Sequence, residues 1–111
     1  HAVGTPVYMP PEQARNAKSV GIQSDLYSLG ATLFHLLAGV PPFSGTGAGE
    51  ILAQVMEGRH LALAEFRDDI PDTLISLVDQ MLELNPKNRP ESATEVLTSL
   101  SVHACKSRVD R

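Results

Sequence analysis

The sequence holds a single cysteine, no surplus of basic charge and no apolar run long enough to cross a bilayer. One thiol, Cys105, excludes an intramolecular disulfide and fits a reducing compartment, so a cytoplasmic location is expected. A net charge of −4 gives no reason to expect nucleic acid or an anionic membrane as partner. The basic residues that do gather, Lys106, Arg108 and Arg111, sit at the very end and read as solubilising charge. The apolar stretches fall far short of the roughly 20 residues that span a bilayer, so no membrane segment is expected. No basic, apolar and small-residue succession marks a signal peptide at the start. The chain opens at His1 rather than Met and reads as a piece of a longer protein.

What is present is a globular balance. With 42% hydrophobic and 20% charged residues over 111 positions, the chain suffices for one small domain. His1 to Gly21 is irregular, because Gly4, Pro6, Pro10 and Pro11 exclude a continuous helix. The first strong periodic signal runs from Ser24 to Ala38. Ser24 suits an N-cap, Asp25 the first turn and Gly39 the stop. At about 100° per residue, Leu26, Leu29, Ala31, Leu33, Phe34, Leu36, Leu37 and Ala38 cover well over half of its circumference. Only Asp25, Ser28, Thr32 and His35 make a polar stripe. A helix so widely apolar must be enclosed by other elements, so a core helix is predicted.

Val40-Pro-Pro-Phe43 forces an extended loop, and Gly45, Gly47 and Gly49 keep it irregular. A shorter helix is predicted over 50–57, with Ile51, Leu52, Val55 and Met56 on one face and Gly58 closing it. Residues 59–70 read as loop. Pro71 suits a first helical position, and Leu74, Leu77, Val78, Met81 and Leu82 then follow the i, i+3, i+4, i+7 template up to Asn85-Pro86. Ser92-Ala-Thr-Glu95 is a capping box, with Val96, Leu97 and Leu100 as the buried face of a last helix. From Ser101 the pattern fades into a polar tail. With no convincing strand, the fold class is all-α: a central buried helix and three amphipathic ones.

No catalytic constellation stands on its own. His1, His35, His60 and His103 are scattered without metal-ligand spacing. His35 lies on the polar stripe of the core helix, where a packed, hydrogen-bonded ring fits better than a ligand. The three glycines follow no strand and precede no Lys-Ser/Thr pair, so they do not make a phosphate loop. Asp25, Glu12 and Arg89 admit two readings each. Asp25 starts a core helix, Glu12 sits in a Pro-rich turn and Arg89 in the turn between Pro86 and Pro90. They read as a cap and two surface charges, or as parts of a site.

The order of the motifs changes that balance. Gly4-Thr-Pro-Val-Tyr-Met-Pro-Pro-Glu12 resembles the end of the activation segment in Ser/Thr protein kinases, which usually reads Gly-Thr-x-x-Tyr-Met-Ala-Pro-Glu. Ser24-Asp-Leu-Tyr-Ser-Leu-Gly30 resembles the start of that family's long central helix. Gly39-Val-Pro-Pro-Phe43 is similar to the turn after it, and Asn85-Pro-Lys-Asn-Arg-Pro90 to the turn before the final helix. The four stand in the family's order and spacing, and their wording is most similar to bacterial members. Residues 1–100 thus resemble the C-terminal part of a protein kinase domain, with 1–23 the end of the activation segment and 24–100 a helical subdomain. Residues 101–111 would be a polar tail or the start of a linker.

The resemblance implies roles residue by residue. Glu12 and Arg89 match the family's buried ion pair, which ties the activation segment to the helical core. Asp25 matches the aspartate that accepts backbone N–H groups of the catalytic loop. Thr5 matches the threonine associated with Ser/Thr specificity, and Gly4 to Tyr8, with Gly4, Thr5 and Tyr8 as its contacts, match the wall that seats the substrate. The pattern departs at Pro10, where alanine is usual, but leaves Pro11-Glu12 intact. The parent would transfer the γ-phosphoryl of ATP, with Mg²⁺, to Ser or Thr of a protein substrate. The family's Gly-rich loop, strand lysine, catalytic Asp and Asn and Asp-Phe-Gly motif do not occur in these 111 residues. The chain is therefore expected to bind no cofactor, metal or ATP itself, to hold no catalytic residue, and to need the N-terminal part of the kinase domain as its partner. Two other readings stand beside this one: a pseudokinase-type binding scaffold, and a stand-alone helical interaction module.

Overall fold

A computed structural model describes residues 8–15 and 21–109. Among them the chain is all-helical, with no strand. Five α-helices are described: α1 (Pro11–Arg15), α2 (Ile22–Ala38), α3 (Ala48–Glu57), α4 (Asp72–Met81) and α5 (Ala93–Val109). Single 3₁₀ turns at Leu63–Glu65 and Pro86–Asn88 break the connections before α4 and α5. No described helix is long and apolar enough to cross a membrane.

Helix α1 forms where the prolines argue against one. Pro11 takes its first position, where a missing N–H costs nothing and a fixed φ already suits the helix. Helix α2 starts at Ile22 rather than at Ser24. Gly21 flanks it in extended backbone without a side-chain cap, and its carbonyl takes the Asp25 N–H at 3.1 Å. Ser24 does not cap, because its hydroxyl donates to the charged carboxylate of Glu12 at 2.6 Å, a stronger acceptor than the neutral backbone offers.

Glycine closes the next two helices' ends as its conformational freedom allows. Gly39 ends α2 at φ 82°, and its N–H returns to the His35 carbonyl. Gly58 ends α3 at φ 70°, with its N–H on Val55 O and that of Arg59 on Gln54 O, a Schellman arrangement. Helix α3 begins two residues ahead of the predicted Glu50, after an extended Gly47.

Helix α4 stops at Met81, ahead of Asn85-Pro86. Leu82 tightens the end by bonding back to both Val78 O and Asp79 O. The chain then presents the carbonyls of Glu83 and Leu84 sideways to Arg89. Pro71 flanks α4 as its cap residue rather than opening it. At α5, Ser92 Oγ accepts the Glu95 N–H at 3.1 Å, while the Glu95 carboxylate reaches back to the Glu91 N–H at 2.8 Å. The capping box forms, with its return bond one residue earlier than the pattern predicts.

Helix α2 packs chiefly on α4, and α4 on α5. One part of the core joins Tyr27, Ala31 and Phe34 of α2 to Phe43, Val55 of α3, Leu63, Ile70, Val78 and Leu82. The other joins Leu26 to Leu77, Met81 and Val96. Gly30 lets α2 and α4 approach closely: a Cβ there would lie 2.7 Å from that of Met81.

Two expectations about burial need correcting. Leu97 is 62% exposed, because only the side of α5 that carries Val96 and Leu100 turns to α4. A neighbour one position on points about 100° away. The central helix is also less enclosed than its pattern predicts: Leu29 is 43% and Leu36 74% exposed, and Ile22 at its start is equally open. Spaced seven apart, these three fall nearly in line along α2. Nor does α5 end at Ser101. Its backbone stays helical to Val109, through a stretch whose Ala104, Lys106 and Arg108 are good helix formers without any apolar period.

Candidate functional site

Arg89 joins the two ends of the fold. Its side chain is fully buried, and that of Glu12, 77 positions earlier, is only 17% exposed. The pair is bidentate: Nη1 donates to Oε2 at 2.7 Å and Nη2 to Oε1 at 2.9 Å. The other three N–H groups are used as well. Nε donates to Glu83 O at 2.8 Å, Nη1 to Gln23 O at 3.0 Å and Nη2 to Leu84 O at 3.3 Å. Five donors thus meet five acceptors, the full capacity of a guanidinium. Its carbon also lies 4.8 Å from the centre of the buried Tyr27 ring, within cation–π range.

The turn Pro86–Asn88 delivers Arg89 to this position. Asn85 Oδ1 accepts the Lys87 N–H at 3.0 Å, and the Arg89 N–H returns to Pro86 O. On the other side, Pro10 and Pro11 are buried and open α1, which carries Glu12 into reach.

The electrostatics follow from this packing. Burial works against an ionised Glu12, but hydrogen bonds from Arg89 and Ser24, with the nearby positive charge, outweigh it and hold the carboxyl below its ordinary value. Burial also pushes the Tyr27 phenol well above its ordinary value, against the pull of Arg89. No buried side-chain donor or acceptor among the described residues lacks a partner. Such full satisfaction is the condition under which a buried ion pair is tolerated.

Tyr8 is tied to α2 at two points. Its carbonyl accepts from Ser28 Oγ at 2.7 Å, and its hydroxyl meets Nδ1 of His35 at 2.5 Å. The two rings also stack, with centroids 6.1 Å apart and planes 12° from parallel. Asp25, in the first turn of α2, is exposed. Gly4 and Thr5 lie outside the described residues. The structure therefore brings Glu12 and Arg89 together, sets Tyr8 along α2, and leaves Asp25 at the surface.

Two polar residues of this region escape a reading of spacing, Ser24 as a partner of Glu12 and Ser28 as a partner of Tyr8, while His35 is the packed, hydrogen-bonded ring that its place on the stripe implies. Ser28 and His35 share the polar stripe of an otherwise apolar helix. A polar stripe on a helix that must be enclosed was the available signal, because each of its members needs a partner once covered.

The chain belongs to the protein kinase domain family, whose pattern it matches over residues 1–100. Its similar relatives are bacterial Ser/Thr protein kinases. It is 36% identical over 110 residues to the serine/threonine-protein kinase AfsK of Streptomyces coelicolor, covering 98% of this chain and 13% of that protein. It is 36% identical over 98 residues to the serine/threonine-protein kinase PknB of Mycobacterium leprae, covering 88% of this chain and 16% of that protein. The PknB of Mycobacterium tuberculosis H37Rv stands at 35% over the same length. The chain thus spans less than a fifth of the curated relatives it matches.

The family implies MgATP for the intact kinase domain, and the described residues offer no cluster of metal ligands. No three His, Cys, Asp or Glu side chains gather there in a way that could hold a metal ion, and the sequence contains none of the family's phosphate-binding or metal-binding motifs. No step of phosphoryl transfer is assigned to these residues.

Proposed function

We propose that the protein carrying this chain is a cytoplasmic Ser/Thr protein kinase that transfers the γ-phosphoryl of ATP to protein hydroxyls. In it, residues 1–23 form the end of the activation segment, with Gly4, Thr5 and Tyr8 seating the substrate. Residues 24–100 form the helical base that holds the catalytic loop, with Asp25 as the acceptor for that loop's N–H groups. The carrying observation is the Glu12–Arg89 network. It spends a buried guanidinium on holding the short segment before α2 against the turn before α5. A fully used guanidinium fixes the stretch that carries Glu12 in one orientation.

The exposed line of Ile22, Leu29 and Leu36 on α2 supports the same reading. It offers the N-terminal part of the kinase domain an apolar seat, which a stand-alone interaction module would have had to cover itself. MgATP, the catalytic Asp and the Asp-Phe-Gly motif would come from that part, since positioning and charge stabilisation supply most of the catalysis in phosphoryl transfer.

The test is label transfer from γ-labelled ATP to a generic Ser/Thr acceptor protein. The full-length protein is expected to label the acceptor, and these 111 residues alone are expected to give no more label than a boiled control. A full-length protein that binds ATP without transfer would favour the pseudokinase scaffold instead.

A further inference from the structure

We infer that His60 and Asp79 form a proton-operated latch, which holds the end of α3 to α4 in mild acid and lets it go as pH rises past neutrality. The inference stands on the fold alone and does not need the kinase reading.

Of the ten residues of α3 only Val55 is buried, so the helix depends on ties at its margins. The Gln54 side chain exchanges two hydrogen bonds with the Ser44 backbone. Beyond the end of α3, the Leu61 N–H donates to Pro42 O at 2.7 Å. These bonds join neutral groups and do not respond to pH. His60 differs. Its ring stands nearly perpendicular to those of Phe34 and Phe43 and reaches across to Asp79 of α4.

The two ring nitrogens have separate tasks. Nδ1 lies 2.7 Å from Leu61 O, and a carbonyl can only accept, so Nδ1 carries the proton of the neutral ring. Nε2 then turns a lone pair towards Asp79 Oδ1, 3.8 Å away. Two acceptors face each other and neither can bond the other. One proton taken up on Nε2 makes them an ion pair. An imidazole gains that proton between about pH 5 and 8, where none of the ties just named changes charge.

The charged groups around the pair leave it the cation that Asp79 meets. Arg59 is paired with Glu57, and Phe34 and Phe43 bring no charge. Burial raises the Asp79 carboxyl above its ordinary value; the charge of His60 opposes this and that of Glu83 adds to it. A carboxylate so burdened gains from a cation beside it. The pair exists only with the proton bound, so its contribution is present at lower pH and lost as pH rises. The Asp79 side chain is 49% exposed, which keeps the gain small.

The experiment is hydrogen exchange of the full-length protein at about pH 6 and about pH 8, read by peptide mass spectrometry and corrected for the chemical exchange rate. Protection over residues 48–61 is expected to be about threefold higher in acid, a factor within reach of a half-exposed ion pair, with the middle of α2 unchanged. Asp79→Ala leaves His60 and its bond to Leu61 in place and is expected to abolish the difference. His60→Phe keeps a ring beside the two phenylalanines without a titrating nitrogen and should do the same. The double variant should lose no more than either. Equal protection of 48–61 at both pH values in the unaltered protein overturns the inference. So does a difference that survives Asp79→Ala, or one that α2 shares in equal measure.

Discussion

Glu12 and Arg89 face each other across 77 positions of sequence as a two-bonded ion pair, at 2.7 and 2.9 Å. Around them the guanidinium also gathers three backbone carbonyls, from the start of α2 and the end of α4. Three stretches of chain are therefore held by one side chain, and the consequences of removing it differ from those of removing a surface charge.

Arg89→Ala leaves the largely buried Glu12 carboxylate with Ser24 as its remaining side-chain donor and takes the guanidinium from three carbonyls. Breaking a buried pair from one side costs about 3–5 kcal/mol, whereas an exposed pair contributes about 0–1 kcal/mol. Denaturant unfolding of the full-length protein distinguishes the two ranges. An unfolding midpoint within error of the unaltered protein would show the pair contributing nothing. Glu12→Gln retains a hydrogen-bonding group and is expected to cost less than Arg89→Ala.

The same pair makes stability depend on pH. Burial opposes ionisation of Glu12, yet the hydrogen bonds from Arg89 and Ser24 bring its carboxyl below the ordinary 4.5. A carboxyl with a lowered folded value contributes fully above its unfolded value, and that contribution is lost as pH falls through the folded one. Stability should therefore decline as pH drops below about 4.5, and Glu12→Gln should lack that part of the decline. Melting curves at stepped pH decide it; parallel declines in both proteins would assign the effect to other groups.

Gly30→Ala tests the closest approach of α2 and α4. On an isolated helix, alanine would stabilise by about 1 kcal/mol over glycine. Here the new methyl would stand 2.7 Å from Met81 Cβ, and crowding of this kind typically costs about 1–3 kcal/mol. A lowered Tm is expected, and a raised one would show that α4 can step back freely.

The line of Ile22, Leu29 and Leu36 should make the 111-residue chain alone self-associate and bind a hydrophobic dye. Leu33 and Leu37, near the middle of the apolar arc of α2, pack against the core, and Leu36 is the residue left 74% exposed. Leu36→Gln should reduce light scattering and dye binding with little change in Tm. A monomeric unaltered chain that melts sharply and binds no dye would show that it closes its own core.

Local sequence determined the parts of this fold that depend on neighbours along the chain. The amphipathic periods of α3 and α4, the glycine stops at Gly39 and Gly58 and the Ser92–Glu95 cap each involve residues within a turn or two of one another, so spacing alone exposes them. The order of four short motifs carried the family as well. Partners distant in sequence were decided only by the tertiary structure. Ser24 reads locally as a cap, yet a carboxylate twelve residues earlier draws its hydroxyl away. Leu36 and Leu97 read as buried, yet no described element covers them. Spacing leaves His35 as a packed polar residue without naming its partner, which proves to be Tyr8, 27 positions away. A periodic pattern states which side of a helix is apolar, while burial and hydrogen bonding depend on what the rest of the chain brings against that side.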